Sequence, residues 1–271
     1  MILSLILTKE RDGLEGFNIL IFIIGVLFGS FLNMLIYRLP LDISLIDPKR
    51  SICRSCNNII RWYENIPLVS YIFLKGRCSN CGDKISITYP IVEFLTGLVT
   101  LTLFIKLDIN IDFFIYIILF YTLIVLSFID FKYKAVPDYL LILALIISFF
   151  ISSFDFKSMF LFAGGIVLLE IFITFYIQNI KSRITKDKSL ETQKALGEGD
   201  IPIVAIIGGV LGVKFGLLAI FLSAIFAIIP SLLNSIIKKD IETPFIPYLA
   251  LALFVVFITE NFFLYLLEGI R

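Results

Sequence analysis

An all-α polytopic membrane protein, with about eight transmembrane helices and a small loop domain, is the fold class this chain predicts from three observations. Hydrophobic residues fill 59% of the 271 positions, with 28 phenylalanines and a mean hydropathy of +1.00, values foreign to a soluble domain. Apolar runs long enough to cross a bilayer recur along the chain. One connection, residues 40–88, is long and polar and carries all four cysteines.

The apolar runs fall near 17–38, 89–105, 113–129, 139–153, 159–179, 201–213, 215–236 and 245–267. Those at 139–153 and 201–213 are short, and read as tilted, partly buried or locally broken helices. Domain organisation follows: residues 1–39 hold an N-terminal segment and the first span, 40–88 the loop, and 89–271 a helical membrane domain. Arg38, the 40–88 loop, Lys132, Lys134, the 181–194 loop, Lys238 and Lys239 gather seventeen of the 23 basic residues on one side. The positive-inside rule puts that side in the cytoplasm and the N-terminus outside. The start Met1-Ile2-Leu3 has no basic stretch, and Lys9, Glu10, Arg11 and Asp12 interrupt it, so no cleavable signal peptide is expected.

With no histidine in the chain, Ser-His-Asp and Cys-His catalysis and imidazole metal ligands are excluded. Attention moves to carboxylates at membrane borders, which are costly there and mark function. Asp130 closes the run Leu126-Ser127-Phe128-Ile129, and Asp200 follows Gly197-Glu198-Gly199 at the mouth of the run from Ile201. In the expected topology both lie at the cytoplasmic border. Brought within a few ångströms, two such groups share one proton, so that one activates water while the other protonates a carbonyl oxygen. Peptide-bond hydrolysis is the natural use. A plainer role is open to each: Asp200 as the cap of a helix with Pro202 in its first turn, and Asp130 as a solvated residue beside Lys132 and Lys134.

The cysteines are spaced Cys53-x-x-Cys56, twenty-one residues, Cys78-x-x-Cys81, with Gly82 directly after. That spacing predicts a four-thiolate zinc site, against the alternative of two disulfides, because a cytoplasmic loop keeps thiols reduced. Four protein ligands leave no open position, so the zinc would be structural, tying down the loop. Trp62, Tyr63, Asn65, Pro67, Tyr71 and Phe73 would form the small core around it.

Gly197-x-Gly199-Asp200 resembles the signature of Gly-x-Gly-Asp intramembrane aspartyl proteases. The segment Phe128-Ile129-Asp130-Phe131-Lys132-Tyr133-Lys134-Ala135-Val136-Pro137-Asp138 resembles the partner motif of bacterial type IV prepilin peptidases. Gly29-Ser30-Phe31-Leu32-Asn33, Tyr37-Arg38-Leu39-Pro40 and the cysteine pairs are similar to the same family, so the resemblance covers most of residues 25–215. It departs where Ile201-Pro202 stands in place of the usual Lys after the aspartate, and where Thr88 stands for the usual Arg before Tyr-Pro-Ile-Val-Glu.

The resemblance implies a catalytic pair Asp130 and Asp200 within a protease core at about 113–215, with Gly197, Gly199, Pro137 and Asp138 in support and Asp138 as the fallback carboxylate. It implies a bacterial inner-membrane enzyme that removes the short basic leader of type IV prepilins and pseudopilins at a Gly-Phe junction, needing no catalytic metal. It also implies S-adenosylmethionine-dependent N-methylation of the new terminus. Partners would be those substrates and membrane lipid, with no nucleic acid. A presenilin-like protease of other membrane substrates and a transporter using its membrane aspartates are the alternatives; the latter gives no reason for the cysteine-rich loop.

Three smaller expectations complete the reading. Gly208, Gly209 and Gly212 predict close helix packing. Glu170 and Glu260 read as interhelical hydrogen-bonding or ionisable groups, and Glu93 as facing the cytosol. The polar linker 181–195 reads as a solvated loop.

Overall fold

The computed structural model describes residues 2–46, 51–185, 197, 199–236 and 244–268. Its regular elements there are helices, apart from two isolated β-bridges. The chain divides into two compact units, Met1–Val125 and Leu126–Arg271, described in turn.

In the first unit α1 (Ile2–Arg38) packs along α3 (Thr88–Leu107). The two backbones nearly touch, because glycines line the seam at four-residue spacing. A Cβ on Gly29 would stand 2.6 Å from the Cα of Glu93, and one on Gly97 2.6 Å from Val26. Thr96 and Thr100 return their hydroxyls to the carbonyls of Val92 and Thr96 at 2.7 Å each, as polar groups must in an apolar surround. Thr100 also pairs with the Tyr121 hydroxyl at 2.7 Å, fastening α4 (Ile111–Tyr133) to the pair. α4 begins where Asn110 accepts the amide of Phe113 at 2.7 Å.

Between α1 and α3 the loop forms two matched knuckles. The bridge Ile52–Ile59 frames the first and Arg77–Lys84 the second. In each, the first cysteine's amide donates to a carbonyl five residues on: Cys53 to Asn58 at 2.9 Å and Cys78 to Asp83 at 2.8 Å. Each turn also puts one residue at positive φ in the same place, Asn57 (55°) and Gly82 (74°), residue types that accept that conformation cheaply. A 3₁₀ turn at Trp62–Asn65 and the short α2 (Val69–Phe73) join the knuckles. Arg54 lies 3.6 Å over the Tyr37 ring and donates to the Tyr89 hydroxyl at 2.5 Å, while Asn33 donates to the Tyr89 carbonyl at 3.1 Å. These contacts latch the loop to α1 and α3. Trp62 and Phe73, expected in the loop's core, are instead about four-fifths exposed.

In the second unit α5 (Asp138–Ser148) follows the extended Pro137. α6 (Phe156–Phe175) starts on an Asp155 cap, whose carboxylate accepts from the Lys157 amide at 2.9 Å and the Ser158 hydroxyl at 2.5 Å. A π-helical turn, Tyr176–Lys181, and α7 (Ser182–Thr185) extend it. α8 (Asp200–Ile236) is interrupted at Gly212, φ 67°, ψ −176°, a conformation open essentially to glycine alone. The break releases carbonyls that a continuous helix would use, and the Asp155 amide takes that of Gly209 at 2.8 Å. The Phe162 ring touches both Gly208 and Gly216, one on each side of the break, and the Phe154 ring lies against Gly209. α9 (Ile246–Glu268) completes the unit.

Among the described residues five helical segments are long and apolar enough to cross a membrane: Gly16–Leu41, Thr88–Leu107, Ile111–Tyr133, Phe156–Lys181 and Asp200–Leu232. Asp138–Ser148 and Ile246–Glu260 are shorter apolar helices. The expectation was about eight spans, and the difference lies in three places, one of them the 245–267 run, of which Ile246–Glu260 is counted as a shorter apolar helix. The 201–213 and 215–236 runs are the two arms of α8, and the 139–153 run gives only the 11 residues of α5, roughly 16 Å of helix against a 30 Å hydrocarbon core. The first arm of α8 is buried on every side from Ile203 to Leu211, as an all-apolar helix inside protein is. α6 instead exposes Phe160, Leu168, Phe172 and Phe175, a surface suited to lipid. The glycine expectation divides in the same way: Gly208 and Gly209 are packing sites, while Gly212, with nothing within 4 Å, is a backbone break.

Candidate active site and metal centre

Asp130 ends the apolar part of α4, four residues before Lys134, whose φ of 53° stops the helix as its amide returns to the Asp130 carbonyl at 2.8 Å. Asp200 is the first residue of α8, its amide bonded to the Gly197 carbonyl at 3.1 Å. The fold brings the two carboxyls within electrostatic reach of each other, and leaves the residues 7% and 8% exposed. Two acidic residues at that depth cannot both be ionised cheaply.

Their surroundings differ. Ile246, at the start of α9, donates its amide to Asp130 Oδ2 at 3.2 Å, and the Phe245 amide faces the same carboxyl. Tyr248, in the first turn of α9, also lies within reach of the Asp130 charge. Two N–H groups at a helix N-terminus favour a negative charge on Asp130. Asp200 faces the glycine turn. A Cβ on Gly197 would stand 3.4 Å from Asp200 Oδ2, and one on Gly199 3.2 Å from Val136, 3.5 Å from Leu141 and 3.6 Å from Ile246. Gly199 is therefore the residue that lets α8 begin tight against α5 and α9.

The other expected site residues fall outside this pair. Pro137 is the extended residue before α5, and Asp138, its first residue, is exposed. Glu93, expected to face the cytosol, is buried in α3, because Gly29 brings α1 directly against it. Glu198, residues 186–195 of the linker, and Lys238 and Lys239 lie outside the described residues. The first turn of α9 escaped the sequence reading; the proline-flanked run Pro244-Phe245-Ile246-Pro247 was the available sign, since proline is at home in a first helical turn.

In the loop, the Sγ atoms of Cys53, Cys56, Cys78 and Cys81 all lie within 4.8 Å of one another, with Cys53 and Cys81 at 3.9 Å. Tetrahedral zinc at about 2.3 Å from each sulfur sets sulfurs about 3.8 Å apart, so the donor set fits such an ion. The backbone amide of Asn58, then the Asn80 side chain at 3.6 Å, hold the Cys56 thiol down at about 6, and the amides of Cys81 and Asn80 lower Cys78. At Cys81 the Asp83 amide favours the thiolate, but desolvation and the other three sulfurs outweigh it and push the thiol up to about 12. Four sulfurs so close cannot all be thiolates without a cation among them.

Two family models match the chain: the bacterial peptidase A24 N-terminal domain over residues 23–107 and the type IV leader peptidase family over 117–232. Among curated proteins, a prepilin leader peptidase/N-methyltransferase of Vibrio cholerae is 34% identical over 218 residues, 78% of this chain and 84% of the relative. One from Bacillus subtilis is 29% identical over 239 residues, 85% and 90% of the two chains. One from Myxococcus xanthus is 51% identical over 82 residues, 30% and 24%. No solved structure matches.

Proposed function

The chain belongs to the type IV leader peptidase family, and we propose that it is a membrane aspartyl endopeptidase that cuts type IV prepilins and pseudopilins between leader glycine and mature phenylalanine. We propose that it then N-methylates the new terminus. The observation that carries the reading is the meeting of Asp130 and Asp200, buried together at the ends of α4 and α8. They lie in the segment that matches the leader peptidase model.

Their unequal settings support unequal roles. Asp130, facing the amides of Ile246 and Phe245, is the ionised member and takes a proton from the attacking water. Asp200, beside it, carries the shared proton and gives it to the scissile carbonyl oxygen as the tetrahedral intermediate forms. The pair then returns the proton to the leaving amine. Gly197 puts no side chain against the Asp200 carboxyl, and Gly199 lets α8 begin tight against α5 and α9.

The four cysteines hold a structural zinc ion that keeps the two knuckles together. S-adenosylmethionine is the second substrate, consumed as methyl donor. The loop at 40–88 is the metal-held domain and 113–215 the protease core. The basic side of the chain faces the cytoplasm, placing the dyad at the inner border of the bacterial inner membrane, where a leader with its own basic residues remains. Lipid and the pilin precursors are the partners, and nucleic acid is not.

Incubating the purified protein in detergent with an intact prepilin tests the reading. Cleavage at the Gly-Phe junction, lost when the leader glycine is replaced by a bulky residue, supports it. A prepilin left whole, or cut equally well without the glycine, contradicts it.

A further inference from the structure

The first unit contains a buried carboxylate that peptide hydrolysis does not use. Glu93 lies in the second turn of α3, where the chain enters the span from the cysteine-bearing loop, and is only 6% exposed. Among the described residues of this unit it is the one buried acidic side chain.

Its two oxygens are in different situations. Oε2 accepts the Leu68 amide at 2.8 Å. Leu68 is held at φ 60°, ψ −51°, a conformation leucine keeps only where its surroundings enforce it. Among the described residues the second oxygen meets no donor, and because every fully buried side-chain nitrogen or oxygen there has a partner, it is not fully buried. Tyr89 on α3 lies within electrostatic reach of Glu93, and Arg54 and Cys53 of the loop and Tyr37 of α1 lie within the same reach of Tyr89. Arg54 directs its guanidinium at the two tyrosines, so the Glu93 charge is left for something else. A carboxylate in apolar surroundings, with one oxygen fixed and one open, suits a small cation with hydrogens to donate.

Leader removal makes such a cation: the mature pilin begins with a new N-terminal ammonium at the head of its apolar helix. Resting on the peptidase reading, we propose that Glu93 binds this ammonium and takes its proton, acting as general base for N-methylation. An N–H bond breaks with its electron pair left on nitrogen, and the proton goes to the open Glu93 oxygen. The nitrogen pair then bonds the methyl carbon of a sulfonium donor, whose carbon–sulfur bond breaks with its pair kept by sulfur as a neutral thioether. Glu93 passes its proton to water. The division of the chain agrees: residues 23–107 contain Glu93 and 117–232 contain both aspartates, so each activity has its own carboxylate.

Glu93→Gln keeps the size and an oxygen for the Leu68 amide, but neither the charge nor the basicity. With prepilin and S-adenosylmethionine, the variant is expected to cleave as the wild type does while methylation of the new terminus, read by mass, falls about 100-fold or more, the usual worth of a general base. Without donor, a synthetic mature-pilin peptide is expected to bind wild type about tenfold more tightly than Glu93→Gln, and acetylating its amine to remove the same factor, the scale of one hydrogen bond to a charged group. Wild-type methylation by Glu93→Gln overturns the proposal. So does a wild type that cleaves but adds no methyl group, or one that binds acetylated and free peptides equally. A failed peptidase reading shows itself separately, as prepilin left whole, while the peptide arm starts from the mature terminus and decides the Glu93 question alone.

Discussion

Replacing Ile246 by proline removes one N–H from the active site together with a buried side chain. That amide stands 3.2 Å from Asp130 Oδ2, and a hydrogen bond to a charged group contributes about 1.5–3 kcal/mol. At about 1.36 kcal/mol per tenfold in rate, its loss lowers kcat about 10- to 150-fold if Asp130 is the base, with KM little changed. Ile246 is the first residue of α9, where proline's fixed φ suits the helix and its missing donor leaves the ladder intact. The preceding Phe245 lies outside the helix, so the extended backbone that proline imposes on it is tolerated. The Ile246 side chain is buried, and Ile246→Ala, which keeps the amide, measures the cost of losing it. Initial rates of prepilin cleavage in detergent give both parameters. A proline variant with the kcat of the alanine variant would refute the role given to the α9 amides.

Gly212→Ala forces a side chain into the glycine-only conformation of the α8 break and is expected to cost about 1–3 kcal/mol, read as a lower thermal midpoint in detergent. Gly209→Ala drives a Cβ into the Phe154 ring, with an overpacking cost of about 1–3 kcal/mol; Phe154→Leu in the same chain should restore much of it, and additive losses would contradict the contact. Metal analysis should find one zinc ion per chain, lost in Cys78→Ser. Zinc should also leave as pH is lowered, because each thiolate that takes up a proton stops being a ligand; metal retained by the serine variant would remove the four-sulfur assignment.

Much of this was legible in the sequence because the signals are local. Apolar runs mark helices wherever they lie, two cysteines three apart make a knuckle almost alone, and acidic residues at the ends of apolar runs stand out against their cost. What escaped depends on contacts distant in sequence. That α9 offers its first amides to Asp130, 116 residues earlier in the chain, leaves no local pattern beyond flanking prolines. Glu93 read as solvent-facing because its neighbours in sequence say nothing of Gly29, which brings α1 against it. The span count differed for a related reason: a run of apolar residues looks the same whether lipid or protein surrounds it, and only the fold shows that the first arm of α8 is enclosed by protein. Gly212 was legible as a glycine, but its positive φ was not.

Cleavage of intact prepilin by the wild type beside Asp130→Asn and Asp200→Asn tests the central claim most directly, since asparagine keeps the size of each side chain while removing its part in the shared proton. The account predicts a single cut at the Gly-Phe junction by the wild type and none by either variant, with all three proteins folded and retaining zinc. Cleavage by either folded variant would contradict the dyad.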